Sequence, residues 1–450
     1  MKKNDCVVSV CSGYTHEGFG VVKKDGFPLF VKQLLEGEEA RLVVTKVKKT
    51  YGYGRVQKIQ AFSDQRREPF CPLANVCGGC QLQHMSETEQ KKFKRQLVQD
   101  VIDRIAKLNV QVADVISMEH PFAYRNKGQI PVGKVGDQTV CGFYRIHSND
   151  IVDMENCPIQ SDEINRVFAC IRRLLHIYPQ VASFLRHVLI KHAFHTEQIM
   201  VVFIAWKKDI SGLGEMIDDL VKEIRSIQSV ILNVNQRADN VILGEEEHIL
   251  YGERTIIDKI HDLSFCISSK SFYQVNPLQT EVLYGKVLEF AQLTGKETVL
   301  DLYCGVGTIS MLLAQKAKSV VGIEIVPQAI EDAKRNTALN NLTNVQFVCS
   351  DAAAYASELS EKQKKIDVIV VDPPRKGCDE VTLDSIVRMQ PKRVVYVSCN
   401  PSTLARDLRI LEDRGYRVEV VQPVDMFPHT YHVESVCLIV RKQKYKKAHK

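Results

Sequence analysis

The feature that most constrains this chain is an alternation of short apolar runs with helical stretches from Ser268 onward. Runs at residues 298–303, 319–325, 345–349, 366–371 and 393–398 have strand length and are rich in Val, Ile and Leu. Strands joined by helix-length connections pair in parallel, so this pattern predicts an α/β fold built on a doubly wound sheet. Two later runs, 417–421 and 433–441, have no good helix between them, so the final strand is expected to pair antiparallel.

The chain is 450 residues long, enough for more than one domain. Residues 1–62 carry short β segments at 6–10, 20–22, 41–48 and 53–60 between glycine-containing turns, the pattern of a small β-barrel. Residues 63–267 are expected to form a central α/β domain, with strand-like runs at 187–190, 199–205 and 230–234, and residues 268–450 the catalytic domain. Ser86-Glu87-Thr88-Glu89 reads as a capping box opening a helix whose apolar face is Phe93, Leu97, Val101, Ile105 and Leu108.

No run of about 18 apolar residues occurs, and no apolar segment follows the basic N-terminus, so neither a membrane span nor a signal peptide is expected. Without an export signal, the 14 cysteines point to thiol or metal chemistry in the cytoplasm rather than to disulfides. The net charge of +6 is matched by the last ten residues, which hold six Lys and Arg and no acid, so any attraction for polyanions is local. Residues 46–58 are basic, acid-free and interleaved with Tyr51 and Tyr53, a composition suited to phosphates and stacked bases.

In doubly wound sheets ligands bind at the carboxyl ends of the strands. The first strand ends in Asp301-Leu302-Tyr303-Cys304-Gly305-Val306-Gly307-Thr308, and Glu324 follows about 20 residues later, where an acid can accept from ribose hydroxyls. Ser310 stands where the dinucleotide fingerprint has its third glycine, so a nucleoside without a pyrophosphate fits better, and S-adenosylmethionine is such a ligand. Asp351, past the third strand, is placed to hold an adenine amino group.

The fourth strand ends in Asp372-Pro373-Pro374-Arg375-Lys376-Gly377, a turn stiffened by two prolines that holds Asp372 beside the cofactor or the base. The fifth ends in Ser398-Cys399-Asn400-Pro401, a thiol ahead of a helix N-terminus, a position expected to lower its pKa. His432-Val433-Glu434 opens the last strand. A methyl donor, a thiol and a carboxylate together suit methylation at C5 of a pyrimidine. The thiolate adds to C6 and makes C5 nucleophilic, and a base then removes the C5 proton. Cys399 is the candidate nucleophile and Glu434 the candidate base.

Cys71-x5-Cys77-Gly78-Gly79-Cys80, with Cys157 downstream, is a second cluster. Four thiolates suit zinc or an iron–sulfur cluster. Structural zinc usually takes two matched Cys-x2-Cys pairs, whereas Cys157 stands alone, which favours [4Fe-4S].

Taken together, residues 271–277, 301–308, 372–377, 398–407 and 432–434 closely resemble the signature segments of the bacterial RNA uracil-5-methyltransferases, in particular the 23S ribosomal RNA branch. The resemblance implies a Rossmann-like S-adenosylmethionine-dependent domain in which Gln274, Tyr303, Glu324 and Asp372 contact the cofactor. It implies Cys399 as nucleophile and Glu434 as base. Residues 1–62 are similar to the family's RNA-binding TRAM barrel, which is OB-like, and Cys71, Cys77, Cys80 and Cys157 match its iron–sulfur ligands. The expected partner is 23S rRNA and the expected state a cytoplasmic monomer. A cytosine-C5 enzyme shares the thiolate chemistry, but the Asp-Pro-Pro-Arg turn and the His-Val-Glu segment argue against it. A ribosome-assembly factor without turnover would need neither Cys399 nor a full cofactor set.

Overall fold

A computed structural model describes residues 1–442; the basic stretch at 443–450 lies outside the described residues. The N-terminal strands Cys6–Tyr14, Gly20–Lys24, Phe27–Val31, Glu39–Val47 and Gly52–Ala61 close into a barrel around Val7, Val22, Leu29, Val31, Leu42 and Val44. Phe27–Val31 is a strand that the sequence pattern did not reveal. Pro28 interrupts it, yet the strand still pairs with Gly20–Lys24 on one side and Gly52–Ala61 on the other. Sheet strands normally exclude proline except at edges and strand starts, and Pro28 is the second residue of this one.

The central unit is a seven-stranded sheet in the order Glu246–Gly252, Ile227–Val234, Gln198–Ala205, Leu185–Ala193, Lys127–Val135, Gln138–Tyr144, Ile151–Asp153. Helices Asp162–Ile177 and Leu213–Glu223 cover one face with a core of Val167, Ile171, Leu174, Met216 and Leu220. The other face looks toward the third unit.

That third unit is a second seven-stranded sheet, ordered Val345–Cys349, Ser319–Glu324, Thr298–Leu302, Val368–Val371, Arg393–Ser398, Glu434–Arg441, Tyr416–Val424. The first five strands are parallel, and the three central ones, Thr298–Leu302, Val368–Val371 and Arg393–Ser398, are buried on both faces, which is why they read as continuous apolar runs. Glu434–Arg441 inserts antiparallel between its two neighbours, as the missing helix foreshadowed.

Two segments from the 63–267 stretch pack on this sheet. Helix Glu87–Val101, the π-turn Ile102–Ala106 and the segment after it bury Val98, Ile102, Ala106, Leu108 and Val112 in its core. Each buried Val, Ile or Leu there contributes about 1.5–3 kcal/mol. The π-turn also shifts the expected apolar face: with more residues per turn, Ala106 is buried and Ile105 is left 43% exposed. Ser86 caps the helix by accepting from the Glu89 N–H at 3.1 Å, whereas the Glu89 carboxylate accepts from the Tyr14 hydroxyl of the barrel at 2.7 Å. The hairpin Ile256–Ile260/Leu263–Ile267 is shared, with Phe265 in the core of the third unit and Ile256 in that of the central sheet.

Candidate active site

At the carboxyl ends of the parallel strands lies a cavity of about 1340 Å³, walled on its far side by the central sheet and the cysteine-bearing loop. Gln274, Tyr303, Glu324, Asp351, Asp372, Cys399, Glu434, Cys71, Cys77, Cys80 and Cys157 all line it. Small-molecule sites run to roughly 1,000 Å³, so this space exceeds what one cofactor needs.

Strand Thr298–Leu302 ends in a turn whose Tyr303, Gly305 and Gly307 have φ of 68°, 55° and 83°. A Cβ on Gly307 would come 2.5 Å from Phe347 Cζ, so both the backbone angle and the packing require glycine. A Cβ on Gly305 would meet nothing within 4 Å, because that side of the turn is open. The backbone N–H groups of Gly305, Ile325 and Val326 donate to Glu324 at 3.2, 2.9 and 3.0 Å, fixing its carboxylate over the turn. Fully buried Asp301 accepts from the Ser310 hydroxyl through Oδ2, while Oδ1 has no partner. Burial pushes its carboxyl up to about 7, with Asp372 and Glu324 adding to the rise against the Ser310 bond.

Asp351 caps helix Ala352–Glu361, accepting from Ala354 N–H at 3.0 Å at the cavity rim. The Tyr303 hydroxyl lies 3.4 Å from Thr382 Oγ1. Gln274 is held by its neighbours: Asn126 Nδ2 donates to the Gln274 carbonyl at 3.1 Å, and Asn126 N–H to the Val275 carbonyl at 3.0 Å. Open space over Gly305 and a fixed Glu324 at the cavity wall fit a nucleoside cofactor that carries hydroxyl donors.

The two turns beyond are stapled together. Asn400 Nδ2 and Thr403 Oγ1 donate to the Arg375 carbonyl at 2.9 and 3.2 Å. Buried Asp407 accepts from Cys378 N–H at 2.9 Å and from the Tyr396 hydroxyl at 2.6 Å. Gly377, at φ 76°, leaves Asp407 Oδ2 only 2.7 Å from where a Cβ would stand. Asp372, at the head of this rigid turn, is pushed up to about 6 by burial.

The antiparallel ladder ends at Ser398 opposite Ser435, and Cys399 and Glu434 are the residues next to that last pair. Both line the cavity, close enough for the Glu434 charge to act on the Cys399 thiol. Glu434 is buried; burial first, then the Asp372 charge, pushes its carboxyl up to about 8 against the pull of Arg375. The expected lowering of the Cys399 pKa is overturned. Burial and the carboxylates of Glu434 and Asp372 push the thiol up to about 11, outweighing Arg375 and the local backbone. His432, beside them, is lowered to about 4 by burial and by the charges of Arg375, Lys94 and Arg125.

On the opposite wall, burial raises the thiols of Cys77, Cys80 and Cys157, Cys80 to about 12, and each also feels the charge of other cysteines in the set. The four therefore converge. They do not form the closed ligand group expected, since among the described residues no three His, Cys, Asp or Glu side chains are arranged to hold a metal ion. Protonated thiols attract one another only weakly, so the polypeptide alone supplies no force to draw them to ligating distance. The donor chemistry fits a thiolate-bound metal or cluster.

On the barrel, Tyr51 stacks on Phe30 at 5.1 Å, and Tyr53 meets both edge-on at 5.7 and 6.0 Å. Phe30 sits on the strand that the sequence concealed, and so escaped notice with it. Asp301 and Arg375 also went unassigned, although both lie within segments the sequence singled out.

A family profile described as tRNA (Uracil-5-)-methyltransferase matches residues 86–442. An uncharacterized RNA methyltransferase of Bacillus cereus is 47% identical over 452 residues, covering 99% of this chain and 98% of the relative. One from Halalkalibacterium halodurans is 49% identical over 447 residues, covering 98% of each. The crystal structure of Pyrococcus abyssi tRNA (uracil-54, C5)-methyltransferase in complex with S-adenosyl-L-homocysteine superposes with a TM-score of 0.78 at 27% identity, covering 96% of this chain and 100% of that one. The profile starts at the cap of helix Glu87–Val101, in keeping with the packing of that helix on the third unit. On the extent of these matches, this chain belongs to the tRNA (uracil-5-)-methyltransferase family.

Proposed function

We propose that this protein methylates C5 of a uridine in 23S ribosomal RNA. Cys399 acts as covalent nucleophile, Glu434 as the base that releases the product, and Gln274, Tyr303, Glu324, Asp351 and Asp372 hold the cofactor. The observation that carries the reading is that Cys399 and Glu434, next to the last strand pair Ser398–Ser435, line one cavity with Asp372 and Arg375. S-adenosylmethionine, when bound, supplies the methyl group.

The chain's own residues do the rest. Near neutral pH Cys399 rests as the thiol and Glu434 is ionised in only a fraction of molecules; in that fraction the thiol proton passes to water, a loss that Arg375 favours, and Glu434 stays free as a carboxylate for the later step. The thiolate then forms a bond to C6, and the electron pair of the C5–C6 double bond moves into the ring carbonyl system, making C5 nucleophilic. Once C5 carries the methyl group, the Glu434 carboxylate takes the C5 proton. The C–H electron pair restores the double bond and the sulfur leaves. The affinity of Glu434 for protons, about 8, suits it to that removal.

In this reading Cys71, Cys77, Cys80 and Cys157 ligate a [4Fe-4S] cluster. Their convergence on one wall supports it, and the cluster would cross-link the loop to the central sheet with no redox step assigned. The barrel serves as a TRAM-type RNA grip, supported by its ring cluster among Lys46, Lys48, Lys49 and Arg55. The setting is the cytoplasm and the unit a monomer; among the described residues no helix is long and apolar enough to cross a membrane.

A tRNA substrate is the second reading, favoured by the printed activity of the Pyrococcus abyssi neighbour. The test is tritium release from C5-tritiated uridine in a 23S rRNA fragment, in tRNA, and from C5-tritiated cytidine. Release from the rRNA fragment alone is expected. Release from tRNA alone would transfer the proposal to tRNA, and release from cytidine would refute the uracil assignment.

A further inference from the structure

The central sheet, part of which walls the cavity, carries beyond the cavity rim a feature that the catalytic reading does not use. Strand Leu185–Ala193 pairs with Gln198–Ala205 in register from Ala193 to His187, and then skips a residue: Ile204 opposes His187 while Ala205 opposes Leu185. Arg186 is the extra residue of a β-bulge, and bulges re-aim a side chain out of the normal alternation. Its guanidinium is re-aimed over the indole of Trp206, at 4.4 Å from the ring, and also donates to the Asn235 carbonyl at 3.0 Å. Next in the chain, Lys207 Nζ lies 3.6 Å from the centroid of Phe184. Two cation–aromatic pairs thus stand side by side.

Their placement ties them to the cavity. Lys127 opposes Lys191, Gln129 opposes Leu189 and Pro131 opposes His187, so alternation puts His187 on the face from which Lys127 and Gln129 line the cavity. The Tyr144 hydroxyl, at the cavity wall, is 3.2 Å from His187 Nε2. A row from Tyr144 through His187 and Arg186 to Trp206 therefore leads out of the cavity along one face of the central sheet.

The chemistry of this row selects its occupant. Trp206 is the only tryptophan in the chain and is 41% exposed. Among the described residues neither Arg186 nor Lys207 is within ion-pair distance of a carboxylate, and the carboxylate that the Arg186 charge does reach, Asp239, lies at the surface, so both can still meet an anion. A guanidinium stacked on an indole presents flat faces that take a nucleobase, with two cations beside them for the phosphates. A purely apolar partner would leave both cations desolvated and unpaired.

We propose that Trp206 and Arg186, flanked by Lys207 on Phe184, form a stacking subsite for an unpaired nucleotide of the substrate RNA that flanks the target uridine. The subsite rests on the reading that the chain acts on RNA, and it supplies part of the contact energy needed to keep a target base out of its stack.

The sole tryptophan makes the subsite its own reporter. The intact protein is titrated with a single-stranded RNA of about 15 nucleotides, long enough to span a groove of this kind, while indole emission is followed. Quenching that saturates with binding is expected. Trp206→Ala, followed by anisotropy of a labelled copy of the same RNA, should bind roughly tenfold more weakly, and Trp206→Phe should recover most of that loss, because stacking needs a ring and not an indole. Arg186→Gln keeps a donor for the Asn235 carbonyl and should lower the salt slope of binding by about one. Unquenched emission on a bound RNA, or equal affinity for Trp206→Ala and the unaltered protein, overturns the subsite and leaves the methyltransferase reading standing. Failure of the unaltered protein to methylate any RNA overturns the reading itself, and the subsite with it.

Discussion

Replacing Glu434 by Gln should lower the pKa of Cys399, and the structure fixes the sign. Gln keeps the volume of Glu, so the burial that first raises the thiol is unchanged, while the charge that adds to it is removed. For charges about 5 Å apart at an effective dielectric of about 20 to 40, a carboxylate opposes a thiolate by roughly 1.5–3 kcal/mol. At 1.36 kcal/mol per unit this is about one to two pKa units. In the unaltered protein the two groups titrate as a pair, Glu434 first near 8 and the thiol near 11. In Glu434→Gln a single thiol step should remain, well below 11. The assay is the rate of iodoacetamide alkylation at Cys399 as pH is raised, read by peptide mass spectrometry so that the other cysteines do not contribute. An unmoved or upward-shifted midpoint would show that the Glu434 carboxyl does not act on Cys399, and the proposed opposition of nucleophile and base would fall. Arg375→Gln should move the midpoint the other way and by less, because Arg375 is exposed and its charge is screened.

The same pair governs turnover. Cys399→Ala should abolish methylation with cofactor affinity kept within a few-fold, whereas Glu434→Gln should accumulate a denaturation-resistant protein–RNA adduct visible on a denaturing gel; free methylated RNA at the normal rate would assign the base elsewhere. Protein purified without oxygen should be brown, with iron and sulfide near four each per chain, and Cys77→Ser should bleach it; a colourless protein carrying one zinc would refute the cluster. Tyr51→Ser with Tyr53→Ser should weaken binding to a folded rRNA fragment roughly tenfold without affecting cofactor binding. This is a cleaner test than deleting residues 1–62, because barrel residue Leu35 packs with Leu82, Met85 and Phe93. Asp425→Asn should destabilise the fold by about 3–5 kcal/mol in denaturant melts, since it leaves the Lys94 ammonium, now 2.6 Å from Asp425 Oδ1, buried without its counter-charge.

What the sequence by itself determined is what short-range physics encodes. Alternating strand and helix lengths marked the third unit as a doubly wound parallel sheet, and the apolar runs marked its central strands because burial on both faces leaves no polar period. The segments around Asp301, Asp372, Cys399 and Glu434 were legible because glycines, prolines and functional side chains must stand at fixed offsets within a turn. The tertiary structure alone decided the rest. Helix Glu87–Val101 carries an apolar face that any sheet could cover, and only the packed core shows that it belongs with residues far downstream. The bulge that turns Arg186 onto Trp206 is a property of pairing between two strands, written in neither alone. Local chemistry even gave the wrong sign for Cys399, where a helix N-terminus argued for an acidic thiol. Coulomb energy depends on distance in space, and folding sets carboxylates from two other strand ends, Asp372 and Glu434, against the sulfur.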